Sequence, residues 1–225
     1  MDLRVLLPCL ALLCAAPPAA AGGPGTTDTG RGDFGCSDQA LVGGVRLPVL
    51  SDLYTLMNKD TAWGAPALVD LVMETAVAMR TLYPDASPLV VGDLSRQRGG
   101  VLPPHRTHRG GVDVDLGLYR TGRFQPKGIL PFPANEFDLE TNFDLIATLL
   151  VSDQVDLILL DRVHIARLRA WAIENERLTP EQAVRWFPPE GSRAERQDTG
   201  VVRHVSGHDG HLHVRILCPD GSRAE

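Results

Sequence analysis

The sequence is short of cysteine, of net positive charge and of any apolar run long enough to cross a bilayer. Its 22 basic residues face 28 acidic ones, a net charge of -6. This argues against a nucleic-acid partner, because such binding is carried by Lys and Arg neutralising phosphates. The longest apolar stretch, Val5 to Ala21, is interrupted by Pro8, Pro17 and Pro18 and falls short of the ~20 residues of a membrane-spanning helix. No transmembrane anchor is expected. There is no long-period repeat, although Gly-Ser-Arg-Ala-Glu occurs twice, at 191–195 and 221–225.

What the N-terminus has instead is an export signal. Ala19-Ala20-Ala21 before Gly22 has the small-x-small form of a signal-peptidase site. Residues 1–21 are therefore expected to be a signal peptide cleaved near Ala21, and the Gly/Thr/Pro-rich residues 22–35 a flexible leader. Residues 36–225 suffice for one well-buried domain and hardly for two. Cys14 is a poor lipidation site, because Leu13 stands where a small residue belongs. Of the four cysteines, Cys9 and Cys14 leave with the signal, so Cys36 and Cys218 are the one possible pair in an oxidising compartment. A bridge would tie the start of the domain to its last strand; the alternative is two buried thiols.

Periodicity supplies the frame. Leu68, Leu71, Val72, Met79 and Leu82 mark a helix over 65–83 that stops before Pro84, and Leu139, Phe143, Ile146, Leu149 and Leu150 mark another over 137–152. A third is expected over 164–176, with His164 at its start as a surface or capping residue. Thr179-Pro180-Glu181-Gln182 has the form of a capping box. Leu89–Val91 and Val155–Leu160 read as strands. Two more, Val112–Leu116 and His211–Ile216, alternate apolar with polar residues and so bury one face each. The expected fold is α+β: a small antiparallel sheet carrying the site, with helices on its other face.

Six of the seven histidines bear on chemistry. His105 and His108 precede Gly110-Gly111-Val112-Asp113-Val114-Asp115; His204, His208, His211 and His213 gather near the C-terminus. On a strand, His211 and His213 share a face ~7 Å apart, close enough to serve one site as ligand and base. Asp113 and Asp115 share a face of their strand. His108 must fold back to join them, which Gly110-Gly111 permits by taking positive φ. A His, an Asp and a His from two strands give three nitrogen and oxygen donors and leave a fourth position for water, the arrangement of a catalytic zinc site. Arg96, Arg98, Arg106 and Arg109 lie in a stretch without acids from Leu94 to Val112, a basic rim suited to a carboxylate-bearing substrate.

His-x6-Asp with a distant His-x-His resembles the zinc peptidases grouped around lysostaphin, the D-Ala-D-Ala metallopeptidases and the hedgehog domain. Ser95-Arg96-Gln97-Arg98-Gly99-Gly100, His105-x-x-His108, Gly111-x-Asp113-x-Asp115 and His208-Asp209-Gly210-His211-Leu212-His213-Val214-Arg215 narrow the resemblance to the penicillin-insensitive murein endopeptidases. It is closest over 93–118 and 207–219. The resemblance implies one Zn2+ held by His108, Asp115 and His213, with His211 as catalytic histidine and His208 beside it. It puts His105, Asp113, Ser95 and Arg98 around the site, toward substrate or in support of the ligands. It leaves His204 unassigned. Gly210 departs from the pattern, standing where relatives tend to carry an aromatic that would wall the cleft.

The implied activity is hydrolysis of the D-alanyl–meso-diaminopimelyl cross-links of peptidoglycan in the periplasm, insensitive to β-lactams because no acyl-enzyme forms. Two alternatives stand beside it: a D-Ala-D-Ala carboxypeptidase or dipeptidase of the same group, and a non-catalytic zinc-containing wall-binding module.

Overall fold

In the computed structural model, Pro66 opens the first long helix at a position where its missing N–H costs nothing, and the helix ends at Leu82, just ahead of Pro84. The structure describes residues 40–122, 128–197, 199–218 and 221–223. The expected signal peptide, leader and Cys36 lie outside the described residues.

In chain order the strands and helices are β1 (Val45–Arg46), β2 (Tyr54–Leu56), β3 (Trp63–Gly64), α1 (Pro66–Leu82), β4 (Leu89–Val91), β5 (Asp113–Gly117), α2 (Leu139–Val151), β6 (Val155–Leu160), α3 (Arg162–Glu174), α4 (Pro180–Trp186), α5 (Arg193–Arg196), β7 (Val202–His204) and β8 (His211–Ile216). Asp138 caps α2 and Asp161 caps α3. The capping box of α4 is complete, with Thr179 and Gln182 each accepting the other's backbone N–H.

The sheet is larger than expected, and it is mixed. Six strands run in the order β2-β4-β5-β8-β6-β7, and β1 with β3 forms a separate ribbon. β2 lies parallel to β4 and β7 parallel to β6, and the helices between them supply the long crossovers that parallel pairing needs. Both added strands are three residues long, too short to show an alternation in sequence. The central strands β5, β8 and β6 are antiparallel neighbours, as the half-buried patterns required.

Alternation divides β5 and β8 cleanly. Val114, Leu116, Leu212, Val214 and Ile216 face a core that also holds Leu68 and Val72 of α1, Leu145 and Leu149 of α2 and Leu168 of α3. The intervening residues, Asp113, Asp115, His211, His213 and Arg215, take the opposite face. The register sets Asp115 against His213 and Asp113 against Arg215. The helices thus stabilise the sheet from one side and leave the other for polar groups.

Candidate functional site

Burial makes this polar face unusual. His108, Asp113 and Asp115 are fully buried and His213 nearly so, and buried charge is tolerated only where partners compensate it. Asp113 has them. It accepts from Arg215 Nε at 2.8 Å and from His213 Nε2 at 2.9 Å. Burial pushes its carboxyl up, but these donors outweigh that and hold it below the usual range.

His108 arrives from the loop before β5. Gly111 takes φ +73°, a backbone conformation that favours glycine, and the chain doubles back so that His108 stands over the strand. Its Nδ1 donates to the Leu94 carbonyl at 2.7 Å, which fixes the tautomer and turns Nε2 inward. His213, with Nε2–H given to Asp113, likewise turns Nδ1 inward. The result is a triangle of donor atoms: His108 Nε2 and His213 Nδ1 are 3.0 Å apart, His213 Nδ1 and Asp115 Oδ1 3.1 Å, and His108 Nε2 and Asp115 Oδ1 3.2 Å.

Three lone-pair atoms this close repel one another unless a proton or a cation lies among them. A proton can serve. Burial lowers the affinity of His213 for it, but the hydrogen bonds to Asp113 and Asp115 prevail and raise its pKa to about 9. Asp115, pushed up by burial, is drawn far below the ordinary carboxylate range by His108 and His213. A divalent ion satisfies the same triangle, since donors on a tetrahedral ion at ~2.0–2.1 Å stand roughly 3.3 Å apart. Buried Asp115 Oδ2 has no hydrogen-bond partner, a further sign of an acceptor-rich site.

His105 offers a second grouping. Donor atoms of His105, His108 and Asp115 lie within 4.8 Å of one another and could hold a metal ion. Its contact is looser, with Nδ1 3.5 Å from Asp115 Oδ2, and its other nitrogen is engaged by Asp93 Oδ2 at 3.0 Å. That bond is the main cause of a raised His105 pKa and a lowered Asp93 pKa. The tighter triangle with His213 suits a small ion better.

His211 stands at the mouth, with Nε2 3.9 Å from Asp115 Oδ1. Burial lowers its pKa to about 4, so at neutral pH the ring is uncharged and able to accept a proton. His208 packs on it with ring centres 4.8 Å apart, and burial also lowers the His208 pKa. The arrangement therefore sets a buried triangle of donor atoms beside imidazoles that are uncharged at neutral pH, groups that metal-assisted hydrolysis would use.

A family model described as penicillin-insensitive murein endopeptidase matches residues 30–224. The chain belongs to that family. Among curated proteins it is similar to the penicillin-insensitive murein endopeptidases of Citrobacter koseri (25% identical over 203 residues, 84% of this chain and 66% of that protein) and Escherichia coli O157:H7 (26% over 191 residues, 83% and 66%). The protein of that name from Klebsiella pneumoniae is 24% identical over 201 residues, again 83% and 66%. The chain thus spans just under two thirds of the length of these relatives.

Within this penicillin-insensitive murein endopeptidase family member, the fold brings His105, His108, Asp113, Asp115, His208, His211 and His213 together. Four other residues singled out in the sequence have different surroundings. Ser95 is fully buried and donates to the Trp63 carbonyl at 2.7 Å, so it pins a turn and does not face a substrate. Arg98 is exposed in that turn. His164 is no surface residue: it is buried, stacked on Phe137 at 4.2 Å, and Nε2 donates to the Asp209 carbonyl at 3.0 Å. It holds the loop that delivers His211. His204, on β7, lies apart in a pocket with Arg162 and Arg169.

Two supporting residues had no assigned role in the sequence reading. Asp93 orients His105 and also accepts from the Thr61 hydroxyl; Arg215 neutralises Asp113. The signal for Arg215 was available, since it shares a strand face with His211 and His213. That for Asp93 was not, because its contact spans a loop.

Proposed function

We propose that this protein is an exported zinc-dependent murein endopeptidase that hydrolyses the D-alanyl–meso-diaminopimelyl cross-links of peptidoglycan. The observation that carries this reading is the 3.0–3.2 Å triangle of His108 Nε2, Asp115 Oδ1 and His213 Nδ1, in a member of a murein endopeptidase family. These three residues would hold the metal, and mixed nitrogen and oxygen donors with an open side suit Zn2+. When bound, the ion supplies Lewis acidity for activating water and the scissile carbonyl.

The chain's own residues supply the rest. His211, uncharged at neutral pH, accepts a proton from the attacking water and then passes it to the leaving amine, while the neutral His208 beside it donates a hydrogen bond to the developing oxyanion. Asp113 and the Leu94 carbonyl keep the ligand imidazoles in the tautomers that aim a lone pair inward. Asp93 holds His105 toward Asp115 Oδ2, where it orients water or substrate. Arg96, Arg98 and Arg106, all exposed, would meet the free carboxylates of the cross-link. No acyl-enzyme forms on this route, so β-lactams are expected not to inhibit it.

Cleavage near Ala21 and export to the periplasm accord with such a substrate. Among the described residues no helix is long and apolar enough to cross a membrane. A bridge between Cys36 and Cys218 would fasten the start of the domain to the end of β8.

The test is chromatography of purified cross-linked muropeptide dimers incubated with the mature protein. Conversion to monomers that stops with chelator and returns with zinc is expected. Intact dimers in the presence of bound zinc would contradict the reading, and release of terminal D-alanine from pentapeptides instead would identify a carboxypeptidase.

A further inference from the structure

We infer that Ile129 and Leu130 form an apolar wall of the substrate cleft beside His211, which takes the aliphatic part of the peptide residue next to the scissile bond. This rests on the peptidase reading above and adds a specificity determinant to it.

Three glycines from separate parts of the fold leave the space in which this segment lies. A Cβ on Gly92 would stand 3.3 Å from Ile129 Cδ1 and 3.1 Å from Asp115 Cβ; one on Gly117 would be 3.5 Å from Ile129 Cγ2; one on Gly210 would be only 2.5 Å from the carbonyl oxygens of Ile129 and Leu130. Ile129 therefore lies over Gly92 and Gly117 on the side of the sheet that carries Asp115, and the backbone of 129–130 lies against the residue immediately before His211. Gly210 does not leave the cleft without a wall. Main chain from 129–130 occupies the space that a side chain at 210 would need.

The outward surface of this segment is apolar. Leu130 is 75% exposed and Met57, whose methyl group approaches Gly128, is 47% exposed. With its carbonyl against Gly210, the residue before His211, Leu130 offers a solvent-facing apolar surface at this edge of the polar face. Murein peptides carry alanine methyls and the methylene chain of diaminopimelate on either side of the bond, so the segment is suited to them. Apolar contact binds ground and transition states alike, so its loss is expected in KM and not in kcat.

The test is isothermal titration of a purified cross-linked muropeptide dimer into zinc-loaded His211→Ala and into the same protein carrying Leu130→Asp. Leu130 is mostly exposed, so this change leaves the fold intact, which the melting temperature verifies. The double variant is expected to bind about tenfold more weakly, and His211→Ala/Leu130→Met close to the parent. Equal affinity with and without Leu130→Asp would overturn the wall, as would an absence of dimer binding to either protein. Failure of the peptidase reading is distinguishable: wild-type protein would leave the dimer uncut while the affinity difference persisted.

Discussion

The two faces of β5 and β8 are made from alternate residues of the same short segments, yet opposite physics holds them. Val114, Leu116, Leu212, Val214 and Ile216 are buried among helices and need no particular partner, only apolar contact. Asp113, Asp115, His211 and His213, a peptide bond away in each case, need a donor or acceptor in a fixed direction. Each orienting bond of the donor triangle is specific, His108 donating to the Leu94 carbonyl and His213 to Asp113. The difference teaches that the apolar face can be altered in stability with the chemistry kept, whereas on the polar face each side chain answers to a specific partner.

The largest effect is expected from removing a corner of the triangle. Asp115→Asn should abolish zinc binding and lower dimer hydrolysis by at least about a thousandfold, measured by metal analysis and chromatography. His211→Ala should lower hydrolysis by about a hundred- to ten-thousandfold while zinc content stays at one per chain, separating base from ligand. On the other face, Leu116→Ala should cost about 2–5 kcal/mol of stability in denaturant titration and leave zinc stoichiometry unchanged. A loss of zinc there would show that the two faces are not separable. Asp113→Asn, which weakens the orientation of His213, should reduce zinc affinity by about ten- to a hundredfold in competition with a chelating dye.

The smallest effect concerns pH. Burial lowers the pKa of His164 below that of an exposed imidazole, near 6.5. The unfolded chain therefore binds its proton first, and stability is lost as pH falls through 6.5. In His164→Gln the melting temperature should fall less between pH 7 and pH 5 than in wild type. An identical pH dependence would show that His164 does not contribute to it.

Much of this was legible in the sequence because both faces follow the period of two. Val112 to Leu116 and His211 to Ile216 announce their strands, and the shared face of Asp113, Asp115, His211 and His213 follows from parity alone. The doubling back of His108 was legible from Gly110-Gly111, of which Gly111 takes the positive φ. What the sequence concealed depended on partners distant along the chain. β2 and β7 are too short to carry a pattern and exist through parallel pairing with β4 and β6. His164 reads as a capping residue until Phe137 is seen stacked on it. Asp93 has no periodic signal, and Gly210 suggests an open cleft because the segment that closes against it comes from residue 129.

Two groupings of donors share His108 and Asp115 and differ in whether His213 or His105 completes them. Zinc stoichiometry of His213→Ala and His105→Ala, measured by inductively coupled plasma mass spectrometry after dialysis, decides between them most directly. One zinc per chain in wild type and His105→Ala, and none in His213→Ala, is the expected result. Zinc retained by His213→Ala, or lost from His105→Ala alone, would contradict the triangle on which the mechanism rests.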